Sequence, residues 1–228
     1  MEKRELIKRY LFFLAGLFFA SLGVSCITKA DLGTSPISSI PYVLSLGFTP
    51  TIGQFTIVLS ILLILGQMLI LKRDFKKYQL LQIPVSVLFG YFIDITMIFL
   101  RWVHPEVYYM KLLFLLCGCV ILGFGVFMEV LADVVMLPGE AFVNAVSTVY
   151  HREFGSTKVA FDASMTVIAG GISAVMFHGI QGVREGTIAA AVVVGMIARF
   201  FLRKLGFMEN MLRTVKKEAD KKEKITVG

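Results

Sequence analysis

The chain repeats itself. Residues from Leu22 to Leu100 run parallel to residues from Phe124 to Leu202. Gly23-Val24 answers Gly125-Val126, Ala30-Asp31 answers Ala132-Asp133, Pro36 answers Pro138 and Ser45 answers Ser147, all at an offset of 102 residues. Thr51 and Phe55 answer Thr157 and Phe161 at an offset of 106, and Gly90 answers Gly195 at 105. A few loop insertions produce that drift. Whatever one copy folds into, the other must resemble.

The solvent for these copies is set by hydropathy. Of 228 residues, 57% are hydrophobic and only 17% charged, with a mean hydropathy of +0.78. A soluble domain cannot bury that much apolar surface, so the bilayer is the expected solvent. Six apolar stretches, residues 10–28, 52–71, 78–100, 112–130, 159–177 and 187–202, approach the ~20 residues needed to cross a hydrocarbon core. The first is long, lacks a small-x-small cleavage site and recurs in the second copy, so it reads as a span and not as a cleaved signal peptide. Three crossings per copy force the second copy to insert upside down. Inverted repeats are a common way for transporters to build a central site with two access routes.

The net charge of +7 does not point to nucleic acid, because of where the charges lie. Lys3, Arg4, Lys8 and Arg9 precede the first span, and Lys72, Arg73, Lys76 and Lys77 follow the second. Arg152 and Lys158 precede the fifth, and Arg203, Lys204 and a Lys-rich tail follow the sixth. Only Lys29, Arg101, Lys111 and Arg184 fall on the other side. The positive-inside rule then places both termini in the cytoplasm. Residues 1–205 read as one transmembrane domain, with repeats at 10–101 and 111–205, and 206–228 as a charged cytoplasmic tail near anionic headgroups. Cys26, Cys117 and Cys119 sit in or near spans without a histidine cluster, which reads as packing and not as a metal site or disulfide framework. No cofactor is implied.

Two segments are too short to cross. After Lys29-Ala30-Asp31-Leu32-Gly33-Thr34-Ser35-Pro36 comes an apolar run of about a dozen residues, roughly 18 Å as a helix. Ser35 stands at a capping position, Pro36 suits the first helical position and Gly47 supplies a stop. The second copy repeats the plan from Asp133 through Pro138-Gly139-Glu140 to Tyr150. Both are expected to be re-entrant half-helices, since irregular backbone at membrane depth must be surrounded by protein or water. Their starts carry free N–H groups and partial positive charge, and two such starts meeting from opposite faces make a polar centre. The competing reading is a pair of surface-lying amphipathic helices. A count of eight full spans would move Lys72, Arg73, Lys76 and Lys77 outside, against the charge rule.

Ionisable groups inside spans are costly and mark candidate sites. Asp94 lies within the third span, and its repeat partner is Arg199, which can snorkel to headgroups. Asp94 is read as lining a cavity or making a cap contact. Glu140, at the third position of the second half-helix, either complements the helix dipole or binds a cation or proton. Its match in the first copy is Ser38. Thr34, Ser35 and Ser38 line the first half-helix start, and Asp31 and Asp133 stand near the two mouths. Glu129 and Asp133 share a face if the helix continues that far, and Lys158 and Asp162 read as a local ion pair. Gly90 and Gly195 are expected to pack closely across the pseudo-two-fold, and the glycines around 123–125 and 169–171 are expected to let helices approach closely. Enzyme motifs such as G-x-S-x-G, H-E-x-x-H or a P-loop are missing, so no enzymatic activity is expected.

The run Ala30-Asp31-Leu32-Gly33-Thr34-Ser35-Pro36, with Ile52-Gly53, Phe89-Gly90-Tyr91-Phe92-Ile93-Asp94, Arg184-Glu185-Gly186-Thr187 and Gly195, resembles the YczE/YyaS/YitT family of small bacterial multi-pass membrane proteins. That resemblance implies a bacterial plasma-membrane protein and leaves activity open. Family members often carry an Asp shortly after the motif proline, where Ser38 and Ser39 stand here. The reading is thus an all-α membrane protein with six transmembrane helices and two re-entrant half-helices in two inverted repeats. The expected function is a transporter or channel-like protein for a small cationic or zwitterionic solute, with proton coupling as one form. The alternative is an accessory protein of a secretion, signalling or other membrane complex. The bilayer and the solute are the expected partners, nucleic acid is not, and a homodimer is compatible with a bundle of this size.

Overall fold

The structure, a computed structural model, describes residues 3–205; the charged tail at 206–228 lies outside the described residues. Every regular element among them is helical. In chain order they are α1 (Lys3–Lys29), α2 (Pro36–Gly47), α3 (Ile52–Leu71), α4 (Gln82–Phe99), α5 (Tyr108–Ala132), α6 (Pro138–Val149), α7 (Phe154–Phe177) and α8 (Glu185–Leu205). Two 3-10 turns, Lys72–Asp74 and Lys77–Leu81, join α3 to α4. Six helices, all but α2 and α6, are long and apolar enough to cross a membrane. The two short helices each begin at their proline, where the missing N–H is one the first turn would leave unpaired anyway.

α1 starts earlier than the apolar pattern suggests because its charged first turns are tied down. Arg9 Nε donates to Glu5 Oε1 at 3.3 Å, and Arg9 Nη1 donates to the Ala132 carbonyl at 3.1 Å. Both side chains are buried. The guanidinium thus satisfies one of the carbonyls that the end of α5 leaves free. At the opposite end Lys111 of α5 pairs with Asp31, just past α1. The two helices are stapled at both ends, and they form the most extensive packing pair in the molecule. A side chain at Gly23 would lie 2.6 Å from the Leu122 Cα, and one at Gly125 2.8 Å from the Ala20 Cα. Small residues here bring backbone against backbone, which is how membrane helices gain packing without a hydrophobic drive between them.

Around this pair the short helices cross over. α2 packs most on α7, and α6 packs most on α3, each more than on its neighbour in sequence. Leu63, Val143 and Phe161 form the buried cluster of that crossing, with Ile37, Leu59, Phe142 and Met165 against it. α4 lies on α1 and α8 on α5.

One expected contact is corrected. Gly90 packs within its own half, against Gly53: a methyl at Gly90 would lie 2.7 Å from the Gly53 carbonyl oxygen. Gly195, its match, faces open space, with only the Arg199 guanidinium at 3.9 Å, and nothing stands within 4 Å of Gly170 or Gly171. α3 and α4 are closed on each other, whereas α7 and α8 scarcely touch. The sequence difference behind this is plain. Val159 stands where the first half has Gly53, so α7 carries a side chain at the point of closest approach. Arg199 stands where the first half has Asp94, so the carboxylate that ties α3 to α4 has no counterpart.

Candidate functional site

The first turns of α2 and α6 meet inside the bundle. Gly139 has no room for a side chain because Ile37 packs onto it. Gln67 of α3 fixes α6 in place: its Nε2 donates at 3.1 Å both to the Pro138 carbonyl and to Gln82 Oε1, and Gln82 Nε2 donates back to Gln67 Oε1 at 3.2 Å. Both amides are buried, and together they bind α3, α4 and the start of α6. On the α2 side, Ser35 occupies the cap position but its hydroxyl does not bond the helix backbone. It donates instead to Ser38 Oγ at 2.8 Å. Pro41 adds a further free group, since it lacks the N–H that would close on the Ile37 carbonyl.

Two cavities flank this meeting point. The central one, of about 560 Å³, is lined by Ser35, Ser38, Thr56, Ser60 and Glu140 at its polar end, with Leu63, Phe89, Leu122 and Val194 among its apolar walls. It continues to Lys158, Asp162 and Arg199. Its volume falls within the ~300–1,000 Å³ usual for small-molecule sites. Lys158 Nζ donates to Asp162 Oδ1 at 2.9 Å, which is the local pair expected from their spacing. The second cavity, of about 500 Å³, lies beyond α6 and is more polar. It is lined by four acids, Asp74, Glu129, Asp133 and Glu140, with Gln82, Asn144, Thr148 and a single base, Lys76. Glu140 and Leu137 belong to the walls of both cavities.

Glu129 stands out in this vestibule. It is only 7% exposed, and its Oε1 is the one buried side-chain oxygen or nitrogen among the described residues without a hydrogen-bond partner. Such a group carries a large desolvation cost unless something compensates it. The expected common face of Glu129 and Asp133 does not form, because α5 ends at Ala132 and Asp133 turns left-handed with φ 50°. Among the described residues no three His, Cys, Asp or Glu side chains are grouped to hold a metal ion.

The candidate residues therefore separate into those at the cavities and those that hold the frame. Ser35, Ser38 and Glu140 line the central cavity, and Glu140 and Asp133 line the vestibule. Asp94, Thr34 and Asp31 line neither. Asp94 caps α3: its Oδ2 accepts from Thr51 Oγ1 at 2.7 Å and its Oδ1 from the Gly53 N–H at 2.9 Å. This cap contact places a carboxylate at a helix start, where the dipole favours it. Thr34 and Asp31 fasten the loop before α2 to the start of α8. The Thr34 N–H donates to Thr187 Oγ1 at 3.2 Å, Arg184 Nη1 donates to the Asp31 carbonyl at 2.9 Å, and the Gly186 N–H donates to the Leu32 carbonyl at 2.8 Å. Gln67 and Gln82 carry the site's geometry without having stood out in the sequence. Their signal was a polar residue in an otherwise apolar span, the same signal that marked Asp94.

No solved structure matches the chain. It is 27% identical over 203 residues to the uncharacterized membrane protein YczE of Bacillus subtilis strain 168, covering 88% of each chain. It is 22% identical over 195 residues to the uncharacterized protein YyaS of the same organism, covering 85% of this chain and 92% of that one. With the six spans, these relatives make this a multi-pass membrane protein of the YczE and YyaS kind. The model of a family of unknown function, DUF6198, matches residues 7–203, and the chain belongs to that family.

Proposed function

We propose that the protein is a transporter or channel-like protein for a small cationic or zwitterionic solute, built as two inverted repeats with α2 and α6 as re-entrant half-helices. The observation that carries this reading is Glu140, standing in the wall shared by two cavities where the first turns of α2 and α6 meet. A solute passing between the cavities must pass this carboxylate. Four acids against one base in the vestibule favour positive charge on the solute or on a coupling ion. Glu129, buried and short of a partner, is the group we assign to proton coupling.

The inverted arrangement draws support from matched details. Asp31 and Asp133 both take positive φ just past α1 and α5, at 55° and 50°, and Lys72 and His178 both take positive φ at the ends of α3 and α7, at 47° and 53°. α2 leans on α7 as α6 leans on α3. With both termini in the cytoplasm, the vestibule opens on the cytoplasmic side of a bacterial plasma membrane. The test is solute-driven current in sealed proteoliposomes over a panel of amines and amino acids, with and without a proton gradient. A saturable current that disappears in Glu140→Gln, at unchanged thermal stability, is the expected outcome. Full current in that variant removes Glu140 from the path. A co-purifying partner together with free replacement of both Glu129 and Glu140 by amides would instead favour an accessory protein.

A further inference from the structure

The central cavity is walled on one side by α7 and α8, which scarcely touch each other. Gly155, Val159, Ala191, Gly195 and Ala198 line it, and Val159 is at the same time 70% exposed. In the first half the corresponding seam is shut by Gly53 against Gly90 and by the Asp94 carboxylate on the start of α3. The second half has neither device. Helices that face lipid on their outer sides do not leave such a slot empty, because acyl chains are the surrounding solvent.

Charge tells which lipid fits. The start of α7 and the last turns of α8 lie at the same end of the slot. They carry Arg152, Lys158, Arg199, Arg203 and Lys204 against Glu153 and Asp162. Asp162 is held by Lys158, and Glu153 accepts from Ser156. Arg199 gives its Nε to the Gly195 carbonyl at 3.2 Å, and among the described residues no carboxylate pairs with it. We propose that this slot is a binding site for one anionic phospholipid of the adjoining leaflet. One acyl chain lies between α7 and α8 over Gly195, and the phosphate sits at Arg199. The lipid supplies the wall and the negative charge that Gly53 packing and Asp94 supply in the first half. The site goes beyond the transport reading and does not depend on it, since it is tested by binding alone.

Native mass spectrometry of the purified full chain, delipidated and then titrated with phosphatidylglycerol or phosphatidylcholine of the same chain length, tests it. One phosphatidylglycerol per chain is expected, at about five-fold preference over phosphatidylcholine, as one basic contact at a membrane surface gives. Arg199→Gln should bring the two lipids level, and Arg199→Lys should keep most of the preference. Gly195→Leu, which fills the slot, should remove the tight adduct without lowering the melting temperature. Equal binding of both lipids by the unaltered protein overturns the proposal. So does a phosphatidylglycerol adduct that survives both Arg199→Gln and Gly195→Leu.

Discussion

The two matched glycines, Gly90 and Gly195, should respond in opposite directions to the same added methyl group. At Gly90 the new Cβ would lie 2.7 Å from the Gly53 carbonyl oxygen and 2.6 Å from the Ile57 side chain. Ordinary contact begins at 3.4 Å, so α3 and α4 must part by about 0.7 Å at a point where the blocking atom is backbone and cannot rotate away. Overpacking of this kind costs up to ~3 kcal/mol. Replacing glycine by alanine inside a helix returns about 1 kcal/mol in propensity. The net loss is then about 2 kcal/mol, or roughly 4–8 °C in melting temperature for a chain of this size. At Gly195 the nearest atom is 3.9 Å away, so only the propensity gain of about 1 kcal/mol acts, raising the melting temperature by roughly 2–4 °C. In a Cys117→Ser background a thiol-reactive fluorescent dye reads the transition, because Cys117 is exposed whereas Cys26 and Cys119 are buried and become accessible on unfolding. Equal shifts for Gly90→Ala and Gly195→Ala, or a destabilised Gly195→Ala, would refute the account of one closed and one open seam.

Three further outcomes follow from the polar contacts. Gln67→Ala strands the Gln82 amide and the Pro138 carbonyl and should cost about 2 kcal/mol, whereas Gln67→Leu with Gln82→Leu should recover at least half of that in the same melting assay. Arg9→Met leaves Glu5 buried and alone and should cost about 3 kcal/mol. Adding Glu5→Gln should restore part of it, and a purely additive double variant would argue against the pair. Glu129→Gln removes an unpartnered buried carboxylate and should leave stability unchanged or raised by up to about 2 kcal/mol, while abolishing any dependence of solute flux on a proton gradient. A strongly destabilised Glu129→Gln would mean that the carboxylate holds the fold together.

The helices were legible from local signals, and the site was legible only in part. Pro36 and Pro138 announced the short helices because a proline at the first helical position is a local preference. α3 ran over the expected residues, since Thr51 and Gln54 form a capping box at its start. α1 exceeded its apolar pattern because the Arg9 guanidinium reaches a carbonyl on α5, a contact between residues far apart in sequence. Asp94 looked like a pathway group for the same reason Glu140 did, as a charge inside a span. What distinguishes them is which helix start each approaches, and that is set by packing. The unequal seams were written in the repeat itself. Matching Gly90 to Gly195 suggested close packing across the pseudo-two-fold, but the residues matched around them, Gly53 with Val159 and Asp94 with Arg199, already differed.

The crossing of the short helices bears on how the protein is made. α2 finds its main partner in α7, and α3 finds one in α6, so the first four helices leave the ribosome before either surface can be covered. Until the second half inserts, the face of α2 around Ile37 and the face of α3 around Leu63 wait in lipid or against a chaperone. The cavities therefore come into being late, when α6 and α7 arrive together. A chain halted after α4 would hold every residue of the Asp94 cap and neither chamber, and its α1 would still lack α5, the helix it packs on most.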